Sequence, residues 1–516
     1  MLESRQYPRI KMKFQSANKA RWNVSWNLLL PVLIALVFFA FTFSYFPFRE
    51  KLQFDTDEGL NLMRSMLVVK GYPLYSQISS DQPPLFTLIL GLVLRIAGFE
   101  VNPARMLVLL FSALLVWAGA QFLSLTSGKL SAILFLPLAL IIPRYLELSV
   151  SVMIGVPSIA FALVSITFIV FWHKNRKDVW LILSALSLVC SVLIKLFTGF
   201  LAPIIVIGLT ISIYLDNQNT GFSWKTLRPV LIWSIWFGGL GLLLGLILVG
   251  PQNIMAIITP HISADTAEEF QGGLFTINTH LQDALPMIVF GLFGALVCIF
   301  KKNWLSLYPL AWAGAAYILL SFHSPVFYHH QLLITVPIAL LGATGVGEGI
   351  KSLLKIKKPA DLAGLQNILA AGAVVGLALT FNHYLPVLNN ELMKSPQISD
   401  FTLKATRGKL DVLQTMEEYA DQTNWVVTDM PIYAFRAHLP VPPLLATFSD
   451  KRLVTGSLTE EDILTTMREY NPEQVLMARF VIPPLETYLA EHYKLVLSEE
   501  FFRLFIRNDL APSTIE

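Results

Sequence analysis

Three carboxylates stand within four positions of the stretch FDTDEG, residues 54–59: Asp55, Asp57 and Glu58. Acids grouped in this way can act as general base toward an acceptor hydroxyl or amine, or hold a divalent cation beside a phosphate. At the start of a helix the same acids cap the first turn and complement its dipole, so residue types alone leave both readings standing. Glu147 is the only acid in the apolar stretch 104–172, and an acid at membrane depth is a functional candidate in its own right. Arg144, three residues earlier, is spaced to pair with it on one helix face. Lys195, in LIKLFTGF, suits a lipid phosphate, and equally suits snorkelling to the interface.

The segment FHSPVFYHH at 322–330 holds three of the nine histidines, His323, His329 and His330, together with Tyr328. Adjacent histidines without cysteine or an HExxH pattern make a poor zinc site. They make a better patch of donors for a phosphate or sugar, with an interfacial aromatic belt as the alternative. His261, Asp265, Glu268 and Glu269 lie in the loop 251–283, where contact with an acceptor competes with simple solvation.

The elements that position these groups are mostly membrane helices. Of 516 residues, 54% are hydrophobic and 14% charged, a balance that calls for many spans rather than a water-soluble globule. A net charge of +3 gives no basic excess for nucleic acid. Cys190 and Cys298 both sit in apolar runs and read as small buried hydrophobes, not as a disulfide framework. Sixteen of the 35 acids precede residue 386 and nineteen follow, so the last quarter faces a different solvent. The expected architecture is a polytopic α-helical membrane domain over 26–385, with about 11 to 13 transmembrane segments, followed by a soluble α/β domain over 386–516.

Residues 1–25 carry six basic side chains against Glu3, which predicts a cytoplasmic tail and places the loop 49–83 outside. Basic loops at 173–177, 225–228, 301–302 and 351–358 then fall inside, while Lys195, the loop 251–283, the histidine segment and the C-terminal domain fall outside. Between the tail and the loop at 173–177 stand five apolar runs where an even number must cross. The run from Pro84 to Gly98, the shortest and led by two prolines, is expected to stop short, with 130–143 as the alternative. Leu60, Met63 and Leu67 predict a helix over 57–70 lying flat along the membrane surface. In the C-terminal part, KLDVLQTMEEYADQ, TEEDILTTMREY and LETYLAEHY read as helices, and NWVVTD, QVLMARF, YKLVL and FRLFIR as strands.

The order of the motifs resembles a known family. A first helix, an outer acid pair, GYPLY at 71–75 and DQPPL at 81–85 resemble the opening of the GT-C glycosyltransferases. The likeness is strongest to the bacterial group related to the protein O-mannosyltransferases and the lipid A aminoarabinose transferase. It extends through LIKLFTGFLAP and YHHQLLITVPIALL, over roughly residues 26–350. The resemblance implies transfer of a sugar from a polyprenyl-phosphate carrier to an acceptor, a protein, lipid or glycan, at the outer membrane face. It implies Asp57 as base with Glu58 beside it, and Lys195, His329 and His330 at the donor phosphate, ahead of Arg64 or Lys70. Asp55, Glu147, Arg144 and Tyr328 take supporting places. Gln82 departs from the pattern, standing where the aminoarabinose transferase has a lysine, so it offers the phosphate a hydrogen bond but no charge. No metal-ligand set emerges, and a divalent cofactor stays open. The rival class is a transporter or flippase of a lipid-linked substrate; the absence of two similar halves argues against it.

Overall fold

The computed structural model describes residues 24–216, 224–354, 365–393 and 410–511. The basic tail, apart from its last two residues, and the second half of the loop 351–358 lie outside the described residues. The chain runs through α1 (Val24–Tyr45), α2 (Thr56–Val69), α3 (Leu85–Ala97) and α4 (Val101–Thr126) to α5 (Lys129–Leu140) and the single turn α6 (Tyr145–Leu148). Next come α7 (Gly155–Asn175), α8 (Val179–Ile194), α9 (Leu201–Asp216), α10 (Trp224–Leu248), α11 (Ile254–Asp265) and α12 (Gly273–Leu281). The membrane part ends with α13 (Leu285–Phe300), α14 (Tyr308–Phe322), α15 (Leu332–Leu353) and α16 (Leu365–Met393), the last running past the boundary expected at 385.

Among the described residues, eight helices are long and apolar enough to cross a membrane, and α12 and α13 form a further pair bent by 92°. Three shorter apolar helices, α3, α5 and α8, complete the set. At 1.5 Å per residue, α3 reaches about 20 Å and α5 about 18 Å, against about 30 Å of hydrocarbon. Both candidates for an incomplete crossing are therefore shorter than a straight full span. α15 is enclosed on nearly all sides, and its crossing with α13 is close: a Cβ at Gly294 would run into the Leu341 carbonyl oxygen. Small residues permit such backbone approach where water gives no driving force for helix association.

The helix α2 spans Thr56–Val69, close to the expected 57–70, and is enclosed within the protein. Every residue from Glu58 to Leu67 is buried, because α3 covers one side and the C-terminal domain another. Leu62, Met66, Ile432, Tyr433 and Phe435 belong to one shared apolar core. A Cβ on Gly59 would come within 2.7 Å of the Ile432 amide nitrogen, so the short helix Pro431–Arg436 docks on α2 at backbone distance.

The C-terminal strands fall where alternation placed them: β1 (Val426–Thr428), β2 (Gln474–Met477), β3 (Tyr493–Glu499) and β4 (Phe502–Arg507), in the sheet order β1-β2-β4-β3. β1 and β2 are parallel, and the other pairs antiparallel. The helix Glu460–Tyr470 begins with a reciprocal capping box between Thr459 and Asp462. The loop 251–283, for which solvation was the simpler expectation, is instead largely helical as α11 and α12.

Candidate active site

Asp55 starts α2 as its N-cap, with extended φ −149° and ψ 153°, and its Oδ1 accepts the Asp57 amide at 2.9 Å. That cap fixes which face each following residue occupies. Asp57, Leu60, Asn61 and Arg64 recur at helical spacing along one face and line a cavity of about 160 Å³. Glu58, about 100° round the helix, points away from that cavity. Its two oxygens take Arg105 Nε at 2.9 Å and Nη2 at 2.8 Å, along with the Phe54 and Val152 amides, with both partners fully buried. The acid pair therefore divides its labour, Asp57 facing the cavity and Glu58 anchoring the loop. Glu58 as a second catalytic acid is not what the geometry provides.

Lys195 enters the cavity from the extended residue that ends α8, with its ammonium 5.2 Å from the Phe197 ring centre. Enclosure pushes its pKa down to about 8, against the pull of Asp57 and Asp81. Enclosure, then the Asp55 carboxylate, pushes Asp57 up to about 6, opposed by Arg64 and Lys195. Arg64 donates to Ser80 Oγ at 3.0 Å and to Asn61 Oδ1 at 2.5 Å, which fixes it against α2. Gln82 lines the same cavity, as do His329 and His330.

The histidines divide into donors and acceptors toward the cavity. His330 Nδ1 accepts the Phe327 amide at 3.2 Å, so the neutral ring carries its proton on Nε2 and can donate. His323 is the reverse: its Nδ1 faces Asp265 Oδ1 at 2.9 Å, and that oxygen also accepts the Ser324 amide at 2.8 Å. Its Nε2 is then an acceptor while the ring is neutral, and enclosure, outweighing Asp265, pushes its pKa down to about 4. Both rings pack edge-on against Phe197.

Part of this site was not visible in the chain's local patterns. Lys451, from the C-terminal domain, sits 2.7 Å from Asp81 Oδ2 and 3.3 Å from His261 Nδ1. Burial alone would raise Asp81, but Lys451, His261 and Arg64 outweigh it and hold the carboxyl well below the usual range. Asp450 and Arg479 of the same domain also line the cavity. Arg105 was hidden inside an apolar run, although a lone arginine at that depth is itself a signal.

Glu147 and Arg144 are not at this cavity and do not pair across a helix face. Glu147 lies 3.8 Å from Lys51, while Arg144, in left-handed backbone at φ 59°, lays its guanidinium 4.5 Å over the Tyr328 ring. Tyr328 donates to Asp55 Oδ2 at 2.9 Å. Among the described residues, no group of three or more His, Cys, Asp or Glu side chains is arranged to hold a metal ion.

The chain matches no protein-family profile and no curated protein sequence. Solved structures do resemble it. ArnT from Cupriavidus metallidurans in the apo state aligns at 14% identity over 93% of this chain and 97% of that one, with a TM-score of 0.59. The same protein bound to undecaprenyl phosphate aligns at 14% identity over 94% and 99%, also with a TM-score of 0.59. The archaeal oligosaccharyltransferase AglB from Archaeoglobus fulgidus, in complex with an inhibitory peptide and a dolichol-phosphate, aligns at 13% identity over 88% of this chain and 69% of that one, with a TM-score of 0.53. The chain is thus a multi-pass membrane protein with the GT-C fold. At these identities the likeness speaks for the fold, and chemistry must be argued from the cavity.

Proposed function

We propose that this protein is a membrane glycosyltransferase that takes a sugar from a polyprenyl-phosphate carrier and passes it to an acceptor at the outer face of the membrane. The observation that carries the reading is Asp57: a carboxylate with its pKa pushed to about 6, at the N-terminus of α2, in one cavity with Lys195, Arg64 and His330. The solved structures of the same fold that hold undecaprenyl phosphate and dolichol-phosphate support a lipid phosphate as the donor's anchor.

At neutral pH Asp57 is mainly ionised and able to accept a proton, while the side chains around it carry positive charge or donor hydrogens. The acceptor's hydroxyl or amine proton passes to Asp57 as its heteroatom bonds to the anomeric carbon. The bond from that carbon to the phosphate oxygen breaks on the opposite side, and its electron pair leaves with the phosphate. One unit of negative charge therefore develops on the lipid phosphate, and Lys195 with the His330 Nε2–H is suited to offset it. A single displacement of this kind inverts the anomeric centre. Gln82, uncharged at the cavity wall, adds a donor without adding to that charge.

The test is Asp57→Asn in the full chain, assayed for sugar release from a labelled undecaprenyl-phosphate donor. A loss of roughly 100-fold or more with unchanged expression is expected. Wild-type turnover in the variant removes Asp57 as the base.

A further inference from the structure

A second cavity, about 470 Å³, shares no lining residue with the first. Its walls come from the end of α1 at Phe46, from Lys51, from Arg144 and Glu147 around α6, from Asp283 at the α12–α13 bend, and from His383, Tyr384 and Val387 on α16. Its volume falls in the range of about 300–1,000 Å³ usual for small-ligand sites. A relay of side-chain contacts leads from its wall to the base: Arg144 lies over Tyr328, Tyr328 donates to Asp55, and Asp55 caps the Asp57 amide.

The chemistry of these walls differs from that of the first cavity. Lys51 and Arg144 share these walls with Glu147, Asp283 and Glu391, so cations and carboxylates are mixed, two against three. That suits neither a phosphate nor a polycation. Donors and acceptors of both signs beside the rings of Phe46, Tyr384 and His383 suit a neutral, polyhydroxylated ligand, whose hydroxyls meet the charged groups while its C–H faces meet the rings. Tyr384 is itself held in place, donating to the Asp283 carbonyl at 2.5 Å. Arg144 is held over Tyr328 by a left-handed backbone that a side-chain-bearing residue seldom adopts.

We propose that this cavity binds the acceptor, and that the acceptor offers a carbohydrate hydroxyl. The inference rests on the transferase reading above, since it supplies that reaction's second substrate. The phenol of Tyr328 occupies on Asp55 the place that an incoming sugar hydroxyl takes when that contact opens, bringing that hydroxyl to the Asp57 end of α2.

The test uses the full chain in lipid nanodiscs, with saturation-transfer NMR on a panel of methyl glycosides of glucose, galactose, mannose and N-acetylglucosamine. At least one glycoside is expected to show transfer. Val387→Trp, a substitution at an exposed cavity residue, and His383→Ala should each weaken that signal by about fivefold or more. Retained binding of undecaprenyl phosphate confirms that these variants fold. Asp57→Asn should leave glycoside binding unchanged, so failure of the base assignment and failure of this site are separately visible. No signal from any glycoside, or a signal indifferent to Val387→Trp, overturns the proposal.

Discussion

Lys451 and Asp81, 370 residues apart in sequence, meet at 2.7 Å in the wall of the Asp57 cavity. The pair joins the first large loop to the C-terminal domain. Replacing Lys451 with Met leaves the Asp81 carboxylate enclosed without its nearest cation. A loss of about 2–3 kcal/mol is expected, below the roughly 3–5 kcal/mol of a fully buried pair because both groups are partly exposed. Because Asp81 titrates lower in the folded state, its stabilising contribution is complete above the usual carboxylate pKa of about 3.9 and is lost only as pH falls below it. Thermal unfolding at pH 7 should show the full difference between wild type and Lys451→Met, and Lys451→Arg should recover most of it.

Asp57 titrates in the opposite sense. Its carboxyl is raised to about 6, so between roughly pH 4 and 6 the folded state binds more protons than the unfolded state and stability falls as pH rises. Asp57→Asn removes that titration. The variant is expected to melt above wild type at pH 8, by an amount that shrinks toward pH 4; on the proposed transferase reading, wild-type sugar transfer should rise through about pH 6 as Asp57 ionises. A melting difference that is the same at both pH values would contradict the raised pKa.

Glu58 should separate from Asp57 in both readouts. With Arg105 it forms a buried two-point pair, so Glu58→Gln or Arg105→Leu is expected to destabilise by about 3–5 kcal/mol. Denaturant melts of the purified variants measure this. Any Glu58→Gln protein that remains folded should keep far more transfer activity than Asp57→Asn.

Gly59 gives a steric test of domain docking. An added methyl would stand 2.7 Å from the Ile432 nitrogen, a backbone atom that cannot swing aside. Gly59→Ala is expected to loosen the C-terminal domain at a cost of about 1–3 kcal/mol. Limited proteolysis should then cut the chain between α16 and β1 faster than in wild type.

Much of this was legible in the chain. The helices and strands announced themselves by apolar length and alternation, and FDTDEG stood out because charge is scarce around it. What local pattern could not show was partnership. Nothing near Glu58 reveals that Arg105, inside an apolar run, will claim it, and the two acids look interchangeable until the helix cap fixes their faces. His261 sat in a stretch polar enough to pass for a solvated loop; only the fold of α11 turns it toward Asp81. Lys451 is one basic residue among several in the C-terminal part, and its place at the cavity depends on docking that sequence periodicity does not encode. Glu147 and Arg144 failed as a pair because the backbone turns at Arg144 instead of continuing as a helix.

Two guanidinium groups grip the same short stretch before Asp57. Arg105 of α4 bonds the carbonyls of Phe48 and Lys51, and Arg436 bonds those of Lys51 and Leu52. One of these clamps is synthesised soon after the stretch it holds, the other more than 380 residues later. During translation, then, the helices can be inserted and packed while the loop bearing Asp57 is only half secured. Assembly of the cavity waits for the last quarter of the polypeptide, which supplies Thr447, Asp450, Lys451 and Arg479 to its wall.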